Sequence, residues 1–198
     1  MRESILHRKE RLIITAIEVI DELGIQGLST REIARRQDVS EATLFRHYKN
    51  KNELLLGVLD HFSKFDNEIL QSAKLKNLSA EEAIVYFITS TVEYYENYPA
   101  ITSIMQIFDV LRYDNELSDK VKQILDNQTS IIKSLIEEAQ NEGQICSEAD
   151  STDLAFLIMG FCREICLKWR ISRQAFSLSK KTLSTLEMTL KAFKDKKR

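Results

Sequence analysis

The sequence is poor in the residues that make turns. Its 198 residues include five glycines and one proline, against roughly 12% of these two residues in average proteins. Sandwiches and barrels of short strands need many turns, so we do not expect an all-β fold. The longest uncharged apolar run is Leu154–Cys162, whereas a membrane-spanning helix takes about 20 residues.

The chain also lacks the signs of a secreted protein. Its three cysteines, at irregular spacing, fit a reducing cytoplasm better than a disulfide scaffold. The charged segment MRESILHRKER contains no apolar stretch typical of a signal peptide. Hydrophobic residues make up 43% and charged residues 29% of the chain, which excludes a disordered protein. We therefore expect a cytoplasmic, almost entirely helical protein with no membrane partner.

No pattern of catalytic or metal-binding residues is present in the sequence. There is no His-Glu-x-x-His motif, no glycine-rich phosphate loop and no nucleophile elbow. The histidines stand apart, at positions 7, 47 and 61. Cys162 and Cys166 share one helical face, but no third ligand accompanies them, so we expect them to pack in the core. The sequence predicts no enzyme activity, no cofactor and no metal site.

Helical periodicity runs through nearly the whole chain. Apolar residues before Gly24 recur on one face of a first helix: Leu12, Ile13, Ala16, Ile17, Ile20 and Leu23. Gly24 suits the position after that helix, where a left-handed backbone is easiest for glycine. Further helices are expected near residues 52–75, 79–97, 116–142, 150–171 and from Ser177 or Ser179 onward, with a compact apolar segment at 100–112.

Two short helices with explicit start signals follow the first helix. Ser29-Thr-Arg-Glu32 is a capping box and begins a helix that we expect to end near residue 37. Ser40 caps another helix, which we expect to end near residue 48. Asp38 must make the sharp turn between them. This layout is typical of a helix-turn-helix in a three-helix bundle.

The second short helix is the candidate reader of a DNA major groove, which is about 12 Å wide and admits one helix. Leu44 should point inward and leave its neighbours on the open face. Thr43 offers a hydroxyl and a methyl group, and Arg46 can bond guanine in two places. His47 and Lys51 lie where phosphates would pass. Short capped helices with solvent-exposed charges also occur in helical proteins that do not bind DNA. The pattern alone therefore leaves two alternatives, a DNA-binding surface and an ordinary solvated surface.

The distribution of charge is only mildly asymmetric. The net charge is −2, with +2 in residues 1–51 and −4 in residues 52–198. Glu41 lies on the candidate reading face, where it would repel phosphate, although a carboxylate can accept a hydrogen bond from cytosine N4. A helical adaptor of the same fold that acts through a protein partner is therefore the alternative to a DNA-binding protein.

Residues 27–54 read GLSTREIARRQDVSEATLFRHYKNKNEL. This ungapped segment resembles the DNA-binding segment of the TetR family of bacterial transcriptional regulators. The family's pattern is Gly-x-Thr/Ser-Thr-x-x-Ile-Ala, then Gly-Val-Ser-x-x-Thr-Leu-Tyr-x-His-Phe-x-x-Lys-x-x-Leu. Asp38, Phe45 and Tyr48 replace a Gly, a Tyr and a Phe of that pattern, and Phe45 lacks the hydroxyl that bonds phosphate.

The resemblance implies an all-α chain with a three-helix, helix-turn-helix domain at residues 1–51. It assigns residues 52–198 to a larger helical domain that binds an effector and dimerises. It also implies a homodimer that binds a palindromic double-stranded DNA operator, usually to repress transcription, until a small molecule releases it. The predicted DNA-binding residues are Thr30, Arg31, Ser40, Glu41, Ala42, Thr43, Phe45, Arg46, His47, Tyr48 and Lys51.

The aromatic and methionine residues in the middle of the chain are candidates for an effector pocket. They are Phe62, Phe65, Phe87, Tyr94, Met105, Phe108, Phe156, Met159 and Trp169. A cavity lined by such residues suits a hydrophobic effector, acyl-chain-like or aromatic. Its polar anchors could be Tyr94, Arg112, Arg163 and Glu164, which could equally lie on the surface. Ordinary core packing is the alternative for each residue.

The end of the chain carries a candidate partner surface. Apolar residues recur there at heptad-like spacing, and in the TetR family the last two helices usually form a four-helix bundle with a second subunit. The predicted dimer residues are Phe161, Leu183, Leu186, Leu190 and Phe193. The alternative is that this stripe packs on the chain's own core.

Overall fold

A computed structural model describes the backbone of residues 2–195 and the side chains of residues 8–195. This part of the chain contains ten α-helices, a 3₁₀ turn at Pro99–Thr102 and no strand; Ile145 and Lys194 form an isolated bridge. The all-α prediction is confirmed. The helices are α1 (Arg2–Gly27), α2 (Thr30–Arg36), α3 (Glu41–Phe45), α4 (Lys51–Leu75), α5 (Ala80–Asn97), α6 (Ser103–Gln106), α7 (Phe108–Leu111), α8 (Asn115–Asn141), α9 (Ser151–Ile171) and α10 (Leu178–Ala192).

The chain divides into two compact units. The first comprises the residues up to Lys64 together with Tyr98–Ile124, and the second comprises Phe65–Asn97 together with the residues from Leu125 onward. Helix α4 therefore begins in the first unit and ends in the second. The boundary expected near residue 51 separates a DNA-binding from an effector-binding domain, whereas the two units are defined by packing. The domain boundary stays a prediction.

The first unit is held together by α1, which packs against α2, the 3₁₀ turn and α6, and by α2, which packs against α3. Leu12, Ala16, Ile17 and Ile20 are buried, as the periodicity of α1 predicts, but Leu23 is exposed. Leu23 lies one residue before Gly24, where the backbone turns to φ 71° and breaks the regular helix. The helical face that the stripe defines ends at this kink, which explains the exposure.

Side-chain caps and a left-handed turn define the ends of α2 and α3. Ser29 Oγ accepts from the backbone N–H of Glu32 (3.1 Å), and Ser40 Oγ accepts from that of Thr43 (3.2 Å). Asp38 adopts the expected positive φ, 49°. The capping box is only half formed, because the Glu32 carboxylate accepts hydrogen bonds from Arg35 and Arg36 instead of from the backbone of Ser29.

Helix α3 is shorter than expected and ends at Phe45 instead of near residue 48. Arg46 and His47 continue in a turn, and the backbone N–H groups of His47 and Tyr48 both donate to the carbonyl oxygen of Leu44. The turn stays close to helical geometry, so the side chains after Phe45 still follow α3 on its surface.

In the second unit, α10 packs against α5 and α9. Phe87, Ile158, Trp169 and Leu186 are among the buried side chains of this unit. The start of α10 is held by Glu96, near the end of α5. Its carboxylate accepts from the backbone N–H groups of Leu178 (2.9 Å) and Ser179 (3.3 Å) and from the Ser179 hydroxyl. Burial opposes ionisation, yet these hydrogen bonds lower the pKa of Glu96 below its usual range.

We expect Glu96→Ala to lower the free energy of unfolding by about 2 kcal/mol, since hydrogen bonds to a charged group are lost and two helix N–H groups lose their acceptor. Glu93→Ala, on the exposed side of α5, is the matched control and should change stability little. Because the pKa of Glu96 is lowered in the fold, the difference should be complete above the ordinary value of 4.5 and should disappear as the pH falls through the lowered value. Urea unfolding at several pH values measures both effects, and equal stability of the two variants would contradict the assignment.

Candidate nucleic-acid interface

The two short helices present a compact exposed surface on a buried base. Ile33 of α2 and Leu44 of α3 are fully buried, and the backbone N–H of Val39, after the turn, donates to the carbonyl oxygen of Ala34 (3.0 Å). With its inner face fixed in this way, α3 turns its other side chains outward. Among the predicted DNA-binding residues, the exposed ones are Arg31, Ser40, Glu41, Ala42, Phe45, Arg46 and Lys51, and Thr30, Thr43 and His47 are partly exposed.

Tyr48 needs a correction, because its ring is only 2% exposed and is not available to a DNA groove. Its hydroxyl donates to the carbonyl oxygen of Lys9 (3.3 Å), and the Lys9 ammonium lies 5.2 Å from the ring centre. A Cβ added to Gly57 of α4 would lie 3.2 Å from this ring. Tyr48 thus fixes the end of the reading segment against α1 and α4 of its own unit.

Hydroxyl groups organise the exposed face of α3. The Ser40 and Thr43 hydroxyl oxygens are 3.0 Å apart, and an Arg46 Nη atom donates to Thr43 Oγ1 at 3.4 Å. The Thr30 hydroxyl donates to the Glu41 carboxylate at 2.7 Å, which joins the first residues of α2 and α3. Polar groups on this face are therefore partly oriented before any ligand binds.

Ion pairing separates the four arginines between residues 31 and 46 into two groups. Glu32 accepts from Arg35 (2.7 Å) and Arg36 (2.8 Å), and Arg36 also pairs with Glu22 (2.8 Å). The hydrogen bonds from Arg35 and then Arg36 lower the pKa of Glu32 to about 2. Within the described residues, no carboxylate pairs with Arg31 or Arg46, so these two guanidinium groups are the ones left for an external anion. The i, i+3 and i, i+4 spacing of Glu32 was a signal in the sequence for the first group.

His47 lies in a positive part of this surface. Burial lowers its pKa first, and the charges of Arg8, Lys9 and Arg46 lower it further. Lys51, at the start of α4, has its ammonium 3.5 Å from the carbonyl oxygen of Ile25. Cations from α1 and from the turn after α3 thus act on one partly exposed imidazole, which is the electrostatic setting expected at a phosphate.

The predicted pocket residues are divided between the two units. Phe62, Met105 and Phe108 belong to the first, where Phe62 and Phe108 meet edge to face with ring centres 5.6 Å apart. The others belong to the second, where Phe65 and Tyr94 are 5.2 Å apart. Phe156 is 59% exposed and does not line the interior of its unit, which corrects that assignment. The remaining pocket residues stay a prediction: Phe62, Phe65, Phe87, Tyr94, Met105, Phe108, Met159 and Trp169.

The second unit also buries polar groups that the sequence pattern did not indicate. Asp66 accepts a hydrogen bond from Gln128 (3.1 Å), and both side chains are buried. Burial raises the pKa of Asp66 to about 6, although the Gln128 hydrogen bond acts in the opposite direction. Arg163, a predicted polar anchor, is half-buried near Tyr95, and burial lowers its pKa. No carboxylate of the described part of the chain forms an ion pair with Arg163.

Part of the predicted dimer surface is wrong. Leu186 and Leu190 are 1% and 5% exposed, because they pack inside their own unit. Phe161, Leu183 and Phe193 are partly exposed and stay a prediction. The large exposed apolar side chains of α9 and α10 include Phe156, Leu157 and Met188. The heptad-like spacing identified an apolar face of α10 but could not tell whether that face packs on the same chain or on a partner.

The cysteines give no sign of metal binding. Cys166 is buried and Cys162 is partly buried, and burial raises the pKa of Cys162 to about 12. The part of the chain that the structure describes has no cluster of three or more His, Cys, Asp or Glu side chains that suits a metal ion. In the same part, no helix is both long and apolar enough to span a bilayer.

Two family models together match most of the chain. Residues 12–58 match the model of bacterial regulatory proteins of the tetR family, and residues 58–192 match the model of the C-terminal region of YsiA-like proteins. The chain belongs to the TetR family. It is thus a member of a family of helix-turn-helix transcriptional regulators, and the surface built by α2 and α3 is the DNA-binding element of that family.

Two of the curated relatives are similar over nearly their whole length, and a third is similar over a short segment. The fatty acid metabolism regulator protein of Bacillus subtilis (strain 168) is 24% identical over 94% of this chain and 95% of its own. The nucleoid occlusion factor SlmA of Haemophilus ducreyi is 22% identical over 89% of this chain and 86% of its own. The class C tetracycline repressor of Escherichia coli is 42% identical, but over only 24% of this chain and 22% of its own.

Solved structures of the TetR fold are also similar. The fatty acid degradation regulator FadR of Bacillus halodurans has a TM-score of 0.81 at 20% identity and covers 92% of this chain and 94% of its own. FadR of Bacillus subtilis in complex with stearoyl-CoA has a TM-score of 0.80 at 23% identity and covers 91% of this chain and 97% of its own. At these identities the likeness concerns the fold.

We expect the DNA affinity of this TetR-family chain to rise as the pH falls towards and below the lowered pKa of His47. DNA phosphates favour the imidazolium form, so a proton is taken up on binding at pH values between the free and the bound pKa. His47→Gln should flatten this pH dependence. His61→Gln, whose pKa is also lowered by burial but which lies in α4 outside the predicted contacts, should retain it. Fluorescence anisotropy with a labelled duplex between pH 5.5 and pH 8 measures the slope, and an unchanged slope in the His47 variant would remove His47 from the contact set (about one proton at most is involved).

Proposed function

We propose that this chain is a homodimeric repressor that binds a palindromic operator through α3 and is released by an amphipathic, anionic effector. The pairing of charge on α2 and α3 carries this proposal. Arg35 and Arg36 are neutralised by Glu32 and Glu22, whereas Arg31 and Arg46 are exposed and have no carboxylate partner in the part of the chain that the structure describes. Positive charge is thus left where phosphates and base edges would meet the surface.

In the proposed complex each contact residue has a separate role. Arg46 bonds the O6 and N7 atoms of a guanine, and Thr43 contacts a thymine methyl group. His47 and Lys51 neutralise phosphates after α3, while Thr30 and Arg31 meet the backbone at the start of α2. Phe45 is 46% exposed and supplies an apolar contact in place of a phenol hydroxyl. Ser40 and Ala42 border the groove, and Tyr48 acts from inside the unit.

The homodimer would form through α9 and α10. Exposed Phe156, Leu157 and Met188 offer apolar area that association removes from water, with Phe161, Leu183 and Phe193 at their side. Two reading heads must lie about 34–36 Å apart, or a multiple of this, to occupy successive major grooves. A small tilt of one subunit then removes its contacts with its half-site. An effector causes this tilt only if the effector binds the non-operator conformation more tightly than the operator-bound one.

The effector proposal combines an apolar and a charged observation. Aromatic side chains such as Phe87 and Trp169 are buried in the second unit, and Arg163 is half-buried with no carboxylate partner among the described residues. A desolvated cation is costly unless an anion accompanies it, so an acyl chain with an acidic head suits both features. FadR of Bacillus subtilis, which was solved with stearoyl-CoA, supports this class of ligand for the present chain.

An adaptor that acts through a protein partner is the second candidate. It is favoured by Glu41 on the reading face and by the similarity to the nucleoid occlusion factor SlmA. An adaptor of this kind would not need the unpaired Arg46, and its affinity for DNA would be the same for all sequences.

A gel-shift and anisotropy assay with the DNA that flanks its own gene tests the proposed function. The wild type should prefer one duplex and lose affinity steeply between 50 mM and 200 mM salt, as about 6–10 phosphate contacts require. Stearoyl-CoA should release the duplex, whereas coenzyme A alone and stearyl alcohol should not. Arg163→Met should keep the operator affinity and lose the response to stearoyl-CoA. Absence of any sequence preference would favour the adaptor.

Arg46→Ala and Lys51→Ala should differ in how they weaken binding. The Arg46 variant should lose about 1–3 kcal/mol of preference at one base pair of each half-site, because base contacts specify. The Lys51 variant should weaken all duplexes alike and reduce the salt slope by about one unit. Arg35→Ala, whose guanidinium is paired with Glu32, is the matched control for loss of a cation. Equal losses on specific and random duplexes for Arg46→Ala would contradict its base-reading role.

A further inference from the structure

Glu41 is the one acid among the predicted DNA-binding residues, and it is the first residue of α3. Two neighbouring acids, Glu32 and Glu53, accept hydrogen bonds from other groups, whereas Asp38 in the turn before α3 is exposed like Glu41. Glu32 is paired with Arg35 and Arg36, and Glu53 accepts from the backbone N–H of Lys49 (2.6 Å). Glu41 is exposed, and no lysine or arginine among the described residues pairs with it. The negative charge of Glu41 therefore acts on any molecule that binds over α3.

The partner of Glu41 in the free protein is the Thr30 hydroxyl, whose oxygen is 2.7 Å from a carboxylate oxygen. A hydroxyl has a single proton to donate. Thr30 can give it to Glu41 or to a DNA phosphate, but not to both. When Thr30 turns to a phosphate, the Glu41 carboxylate loses its donor in a region that DNA fills with negative charge.

A base edge can replace that donor. In the major groove, cytosine N4 and adenine N6 are amino groups, whereas guanine O6 and N7 and thymine O4 are acceptors. A carboxylate that faces an acceptor stays unpaired and is repelled, and one that faces an amino group regains a hydrogen bond. Every base pair presents one amino group in the major groove, so the choice is which strand presents it at that position.

We propose that Glu41 is a specificity-determining residue that admits the reading head only where the operator presents an exocyclic amino group, of cytosine or adenine, to the start of α3. At other sequences its carboxylate weakens binding, so it lowers the affinity for random DNA more than the affinity for the operator. This inference rests on the proposed DNA-binding function and adds a penalty against wrong sequences to the attractive contact of Arg46.

Removing the Glu41 carboxylate should strengthen the binding of random DNA, although Glu41 is itself a predicted contact residue. Glu41→Gln and Glu41→Ala should raise the affinity for a random duplex by about three- to fivefold at low salt, because one repelling charge is lost. The same variants should reduce, by about fivefold or more, the preference for cytosine or adenine at one position of each half-site. Glu41→Asp keeps the charge and should keep the low affinity for random DNA.

The experiment uses the full-length protein and a library of duplexes randomised over one half-site. Selected sites are compared for the wild type, the three Glu41 variants and Glu68→Gln, a matched control whose side chain is exposed on α4 outside the reading surface. Circular dichroism and thermal unfolding show that each variant is folded. The control should match the wild type in both affinity and base preference.

The outcomes separate this inference from the proposed function. If the neutral variants lose affinity equally on random and selected duplexes with an unchanged base preference, Glu41 only supports the start of α3 and the inference is overturned. An unchanged base preference of the neutral variants at every position, whatever their affinity for random DNA, also overturns it, while leaving the DNA-binding function intact. A wild type that binds no duplex overturns both.

Discussion

The reading surface depends on two helices that are too short to exist alone. Helices α2 and α3 have seven and five residues, and isolated helices shorter than about 12–15 residues are marginal in water. Their stability comes from the buried side chains of Ile33 and Leu44 and from the Ser29 and Ser40 caps. Because every outward side chain of α3 is positioned by this base, the direction of the DNA contacts is a product of core packing.

Charge is the second constraint on this surface. Glu22 of α1 and Glu32 of α2 form ion pairs with Arg35 and Arg36. Glu41 forms no ion pair with a cation of the described chain. The overall charge of −2 therefore says little about nucleic-acid binding, since the arrangement of a few ion pairs decides which cations are available. A surface that combines free cations with one acid is suited to discrimination between sequences, because attraction and repulsion act at neighbouring positions.

The sequence predicted the features that depend on local chemistry. The caps at Ser29 and Ser40, the turn at Asp38 and the inward Leu44 all follow from residues within one or two helical turns. What it missed depends on which neighbour a side chain meets after folding: Glu32 pairs with arginines instead of closing its capping box, Tyr48 turns inward, and Leu186 packs on its own unit. The Asp66–Gln128 hydrogen bond joins residues far apart in the chain, so no local sequence pattern could predict it.

Gly57 shows how far the constraints on the reading surface reach. It touches no predicted contact to DNA other than the buried Tyr48, yet a Cβ at this position would lie 3.2 Å from the Tyr48 ring and 3.3 Å from the Ile13 side chain. A residue with a side chain at position 57 therefore needs the Tyr48 ring and the Ile13 side chain to move by a few tenths of an ångström. Such a substitution would act on the end of the reading segment from inside the unit, through a tyrosine that itself does not face DNA.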